Sequence, residues 1–368
     1  MRGSVKKDGK SWYYIFTLSN DNKGNRKQKK KRGFKTKKEA EKALAEAINA
    51  INKGTYIEPS VILYKDYLNQ WFSTKQNGIG VQTAEVYKNY IRGRIIPNLG
   101  DYTLSKLTTI HLQSYINSLT EEGLSSATVR KIYEIIRNSL EHAVDFELVP
   151  KNVAVKVKLP KGNKKEINVW NEEEVNKFLK VAKDDSCYIV FYLALMTGMR
   201  QGELLGLRWK DVDLNKGLIR IKQTLSHDGK TFINGAKTKS SLRTINLSTS
   251  ATKVLKAHKL RVSKVKLSHG PNYQDYDLVA CTQSGTPFNP ANVRRNLKRI
   301  IKAANLPDIR FHDLRHTHAT ILLSNGINVK VISERLGHSN IKVTLDTYSH
   351  VLPSMQEEVV LKLDEIIK

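Results

Sequence analysis

Apolar and polar positions fall into three regimes along the chain. From Ser11, the run SWYYIFTL packs aromatic and β-branched residues at strand density. The turn residues SNDNKGN follow, then the basic, extended stretch RKQKKKRGF. Beyond Thr36 the period changes: KKEAEKALAEAINAINKG sets Ala, Leu and Ile at helical spacing, with Gly54 as a stop. This predicts a small sheet backed by one helix. From Val61 to Lys161 the period stays helical, in YKDYLNQWFSTK, TAEVYKNYIRGRI, TIHLQSYINSLTEE and SATVRKIYEIIRNSLEHAVDF. The breakers NGIG, PNLGDYT and EGLSS separate them, which predicts a helical bundle of roughly 100 residues. KLPKGNKKEINVW, residues 158–170, has no period and reads as a linker. The remainder mixes helices with strands at GLIRIKQTL, KTFINGAK and RTINL, and HDGK at 227–230 is a hairpin turn. YIVFYLALM, from Tyr188 to Met196, reads as a buried helix too short to span a bilayer. No internal repeat breaks this plan.

Charge narrows the function. Lys and Arg number 62 against 35 Asp and Glu, a net of +27, which points to a polyanionic partner, nucleic acid first. The excess is spread along the chain rather than held in one tail. Residues 1–58 alone carry 16 basic and 6 acidic residues, and a basic β face can enter a major groove. Arg92, Arg94, Arg130 and Lys131, with Tyr87 among them, put basic faces on the helical segment, suited to phosphate. Cys187 and Cys281 are the only cysteines, too few for a disulfide framework or a cysteine zinc site, and they fit a reducing compartment. The polar N-terminus gives no signal-peptide pattern.

FHDLRHTHAT, residues 311–320, crowds His312, His316 and His318 around Arg315. On a helix, His312 and Arg315 stand about 60° apart and His316 about 40° from His312, while His318 falls about 120° away. Three such histidines cannot converge on one ion. A histidine beside an arginine describes a phosphate site instead. TGMRQGELLGLRW, residues 197–209, offers Gly198 for a sharp turn and Arg200 at a helix start, where anions bind; the alternative is a structural Arg200–Glu203 pair. GAKTKSSLRTINL, residues 235–247, reads as a hairpin with Lys237 and Lys239 at its tip. LGHSNIKVTLDTYSH, residues 336–350, holds His338 and Tyr348, with Gly337 closing one helix and Ser339 able to cap the next.

Taken together, TGMRQGELLGLRW, HDLRHTHAT and LGHSNIKVTLDTY resemble the three boxes of the tyrosine recombinase (phage-type integrase) family, of the kind encoded by temperate phages and integrative conjugative elements. The resemblance implies a multidomain α+β fold. It gives an AP2-like arm-type DNA-binding domain at 1–58, an all-helical SAM-like core-binding domain at 61–161, and a mixed α/β catalytic domain at 165–368 with a tail at 352–368. It also implies the site: Arg200 and Arg315 as a phosphate clamp, Lys237 as general acid with Lys239 as the alternative, His312 as acid or base at the tyrosine, His338 on the phosphate, and Tyr348 as nucleophile. His316 and His318 are left as structural residues. Asn246 stands where many members have proline, and KNVA at 151–154 replaces the frequent Asn-Pro-Ala.

The resemblance further implies a covalent 3′-phosphotyrosine, with no metal, ATP or other cofactor, since two arginines stabilise the charge and the covalent link keeps the phosphodiester energy. The implied partners are double-stranded DNA at core-type and arm-type attachment sites, a homotetramer on that DNA, DNA-bending accessory proteins and an excisionase. The expected location is the bacterial cytoplasm, with no membrane. Two competing functions use the same fold: a type I topoisomerase and a non-catalytic DNA-binding regulator.

Overall fold

The computed structural model describes residues 3–20, 26–52, 56–57, 60–162, 168–235, 242–348, 363 and 367. The chain divides into two compact units, 1–164 and 165–368.

The first unit opens with three antiparallel strands, β1 (Gly3–Asp8), β2 (Ser11–Asn20) and β3 (Arg26–Phe34), in the order β1-β2-β3. The basic stretch is thus a full edge strand. Tyr14 and Phe16, two apart and so on one face, are buried with Leu44 and Ala47 of helix α1 (Lys37–Asn52). Register puts Lys6 opposite Tyr13 and Lys30 opposite Ile15, on the face that α1 does not cover. The Lys30 ammonium stands 3.7 Å from the centre of the Tyr13 ring.

Helices α2 (Tyr64–Lys75), α3 (Val81–Tyr90), α4 (Ile96–Leu99), α5 (Thr109–Glu121) and α6 (Ser126–Asp145) build a separate core. A π turn, Ile91–Ile95, joins α3 to α4 just before Pro97. Proline has no N–H to give, and the wider turn takes up the break in the ladder. Tyr64 and Tyr67 pin α2 to α6: the Tyr64 hydroxyl lies 2.8 Å from Ser139 Oγ, and that of Tyr67 donates to the Ser139 carbonyl at 2.7 Å.

The second unit is built around α8 (Tyr188–Thr197), buried along nearly its whole length, as its unbroken apolar run predicts. Before it comes α7 (Glu172–Ala182), whose Asn171 and Glu174 form a reciprocal cap. After it come α9 (Gln201–Leu205) and the strands β4 (Val212–Asp213), β5 (Leu218–Arg220), β6 (Gln223–Leu225), β7 (Phe232–Asn234) and β8 (Thr244–Asn246). GLIRIKQTL is therefore two short strands, not one. The turn at 227–230 does join β6 to β7. β7 pairs with β6, and β8 pairs with β5 in the β4-β5-β8 sheet; the tip of the expected 235–247 hairpin, residues 236–241, lies outside the described residues. Helices α10 (Thr249–His269), α11 (Pro290–Ala303), α12 (Phe311–Ser324), α13 (Val329–Leu336) and α14 (Ile341–Tyr348) complete the unit. Ahead of α14 it is Asn340, not Ser339, whose side chain accepts from the Lys342 N–H at 2.9 Å. Among the described residues no helix is long and apolar enough to cross a membrane.

Candidate active site

Five helix ends carry the site in the second unit: those of α8, α9, α12, α13 and α14. Helix α8 stops at Gly198, whose φ of 65° is left-handed. A Cβ there would come within 2.6 Å of Leu336 and 2.7 Å of His318, so only glycine fits. The turn frees the Gly198 carbonyl, which accepts from Arg315 Nη1 at 2.7 Å. Helix α13 ends in a second left-handed glycine, Gly337, with the His338 N–H bonded back to the Ser333 carbonyl. Its end carbonyls, left without partners inside the helix, hold both arginines. Leu336 O accepts from Arg315 Nη2 at 2.7 Å, and Gly337 O lies 3.4 Å from Arg200 Nη2. The negative end of a helix favours cations. Adjacent carbonyls thus set Arg200 and Arg315 side by side, and His338 follows in the next position.

Glu203 organises the other side. Its carboxylate accepts the Arg200 N–H at 2.9 Å and Arg200 Nη1 at 3.0 Å. Arg243, entering β8, adds a two-pronged contact at 3.1 and 2.9 Å and donates Nε–H to the Arg335 carbonyl at 2.8 Å. Burial would raise the Glu203 carboxyl, but the bonds from Arg243 and Arg200 outweigh it and hold it below its ordinary value. Arg315 is 3 % exposed; burial, then Arg200 and Arg243, pulls its guanidinium downward. A guanidinium stays protonated at neutral pH. Three arginines around one carboxylate leave an excess of positive charge, which an anion would neutralise.

Helix α12 delivers His312, Arg315 and His316 along one face, while His318 turns to bond the Leu195 carbonyl at 2.7 Å. His312 stands at the solvent-facing start of the helix; desolvation of its ring by the protein around it, then Arg315 and Arg200, lowers it from the usual imidazole value. Burial, then Arg315 and Arg200, brings His338 down to about 4, so it stays neutral. Its Nδ1 lies 2.7 Å from Thr344 Oγ1, which fixes α14 beneath it. One turn on, Tyr348 shares the inward face with Thr344. The Tyr348 hydroxyl sits 2.8 Å from His316 Nδ1, and the side chain is 2 % exposed. Burial pushes Tyr348 up to about 12 against the lowering pull of Arg315.

The structure thus gathers Arg200, His312, Arg315, His338 and Tyr348 around one region. Lys237 and Lys239 lie outside the described residues. Three neighbours escaped the sequence reading: Arg243, Arg335, and His316 as the partner of Tyr348. The Arg200–Glu203 pair, offered as a structural alternative, exists and orients the arginine. Spacing to Glu203 at i+3 marked that pair, but nothing local marked Arg243, forty residues away.

Residues 168–355 match the Phage integrase family, more than half of the chain. The chain belongs to the phage integrase family. In this integrase, residues 4–51 match an arm DNA-binding domain and residues 63–120 the N-terminal SAM-like domain of phage integrases. A tyrosine recombinase XerC-like protein of Caldanaerobacter subterraneus subsp. tengcongensis is 31 % identical over 98 % of this chain and 97 % of its own length. The ICEBs1 integrase of Bacillus subtilis is 31 % identical over 73 % of this chain and 75 % of its own. Among solved structures, the Tn1549 transposon integrase with transposon right end DNA superposes with a TM-score of 0.69 at 19 % identity, over 80 % of this chain and 99 % of that one. A lambda integrase tetramer bound to a Holliday junction gives 0.58 at 20 % identity, over 92 % of each chain. The integrase is a tyrosine recombinase, with the three-part fold its sequence predicts.

Proposed function

We propose that this integrase cleaves and rejoins DNA at specific sites through a 3′-phosphotyrosine, integrating and excising a mobile element. The surplus of positive charge that Arg200, Arg243 and Arg315 leave around Glu203, with Tyr348 alongside, carries the reading. A phosphodiester resists attack because its oxygens are negative and its leaving alkoxide is poor. Arg200 and Arg315 supply forked donors to the non-bridging oxygens, strongest where charge grows in the transition state. His312, exposed at the mouth, and His338 add neutral ring donors. Lys237, or Lys239 in its place, protonates the departing 5′ oxygen. Tyr348 Oη bonds to phosphorus as the P–O5′ bond breaks. A 5′-hydroxyl from the second duplex then reverses the step and joins the new strand.

The partners in this reading are double-stranded DNA and three further copies of the chain. Residues 1–58 take arm-type sites, with Lys6, Tyr13 and Lys30 on the uncovered sheet face. Residues 61–161 and 165–368 take core-type sites. DNA-bending accessory proteins and an excisionase set direction, and the reaction runs in the bacterial cytoplasm. A nicked suicide duplex tests the chemistry: wild type should form an SDS-resistant adduct, and Tyr348→Phe should form none while still binding DNA. An adduct from Tyr348→Phe would refute the nucleophile.

A further inference from the structure

The nucleophile's hydroxyl has one hydrogen-bond partner among the described residues, and it is His316 rather than His312. We propose that His316 Nδ1 takes the phenolic proton as Tyr348 attacks, which leaves His312 free to serve the phosphate and the leaving group. For that transfer the phenolic O–H donates and Nδ1 accepts across the 2.8 Å contact. The step therefore requires the His316 tautomer whose own proton sits on Nε2. The rings of His316 and Tyr348 lie 5.6 Å apart, and His312 meets His316 edge to face at 4.9 Å. His312 therefore stands one helical turn further out, towards the exposed start of α12, and no bond joins it to Tyr348 among the described residues.

The surroundings make the transfer conditional. Burial, then His312, brings His316 down to about 4, with Arg315 and Arg310 adding to the effect and Asp313 opposing it. His338 also feels the His316 ring. An imidazolium at His316 is thus disfavoured while the cradle holds only its own cations. A seated phosphodiester brings one negative charge, and the five-coordinate phosphorus a second. Both favour the imidazolium, so the tyrosine is activated only when DNA is in place. The step balances: Oη bonds to phosphorus, the P–O5′ bond breaks, the phenolic proton passes to His316, and O5′ leaves with a proton from the lysine acid. When a 5′-hydroxyl attacks, His316 returns the proton to the tyrosine oxygen.

This rests on Tyr348 as nucleophile, and the test separates the two claims. Adduct formation is followed on the nicked suicide duplex and on the same duplex with a 5′-bridging phosphorothiolate, whose thiolate leaves without an acid. His316→Asn keeps an acceptor oxygen near the Nδ1 position but no base, and His316→Ala removes both. Both should slow adduct formation on the order of 10²-fold or more. The phosphorothiolate should not restore either, although it should restore Lys237→Ala. Added imidazole should raise the rate of His316→Ala, which a merely structural loss would not allow. Gel shift and thermal melting confirm that each variant folds and binds. His316→Asn cleaving at close to the wild-type rate overturns the proposal, as does rescue of it by the phosphorothiolate or no response of His316→Ala to imidazole. An adduct from Tyr348→Phe sinks both readings; a dead Tyr348→Phe with an active His316→Asn sinks this one alone.

Discussion

Glu203 sets the tone of the site at the scale of single residues. It is 4 % exposed and bonded by Arg200 and Arg243. Removing one partner of a buried ion pair costs roughly 3–5 kcal/mol, because the charge left behind is unpaired. Glu203→Gln should therefore lower the unfolding free energy by about that amount in urea titrations. DNA should recover part of the loss, since a bound phosphate replaces the missing negative charge. A variant as stable as wild type without DNA would show that the arginines do not depend on Glu203. The histidines give a second prediction at this scale. Burial, then Arg335, holds His318 down to about 4, against an unfolded value near ~6.5. Between those values the unfolded chain binds a proton that the folded one refuses, so stability falls as pH drops. Stability is intact above about 6.5 and its His318 part is gone by about 4. Urea midpoints across that window should fall with pH, and His318→Gln should flatten the slope.

The helix ends control the arginine geometry at the scale of elements. Gly198 is the joint: its left-handed backbone aims its carbonyl at Arg315, and it packs against Leu336 and His318. Gly198→Ala meets both a strained φ and a steric clash. It should cost at least about 1–2 kcal/mol in stability. It should also slow adduct formation by more than the loss of folded protein explains, on the order of tenfold or more, because the clamp is displaced. Normal cleavage by a stable Gly198→Ala would show that the Gly198 carbonyl does not position Arg315. Elements such as α2, α6 and α8 were legible in the sequence because their period is local and long. The partner of β8 was not. Strands of three residues carry too little alternation to mark their partners, and whether β8 joins β7 or β5 is decided by packing far along the chain. The same limit hid Arg243, whose contact with Glu203 exists only once β8 lies beside β5. It also hid His316, whose role depends on how α14 docks. Arg200, His312, Arg315, His338 and Tyr348 were legible because each sits in a short motif whose spacing survives folding.

At the scale of the whole molecule, the tail at 352–368 is expected to dock on a neighbouring protomer. Met355, Val359, Leu363 and Ile366 or Ile367 recur at spacings of three and four. Leu363 is 47 % exposed and Ile367 74 %, so the described part of that stripe is not covered by its own unit. The same unit carries an apolar cavity of about 420 Å³, lined by Leu195, Met196, Ile321, Leu322 and Ile332. In a tetramer on two duplexes, the tail of one protomer filling this cavity on the next would bury both surfaces. The tail starts just beyond Tyr348, so such docking would link the position of the nucleophile to assembly. Truncation after Pro353 keeps Tyr348 and removes the stripe. Binding of one protomer to a core-type duplex should be unchanged by gel shift. Synapsis and recombination on paired sites should fall by a coupling of about 1–3 kcal/mol, some 5- to 150-fold. Unregulated cleavage of single sites should hold or rise, because the restraint on Tyr348 is gone. Full synapsis by the truncated protein would rule out docking in trans, and the cavity would then need another occupant.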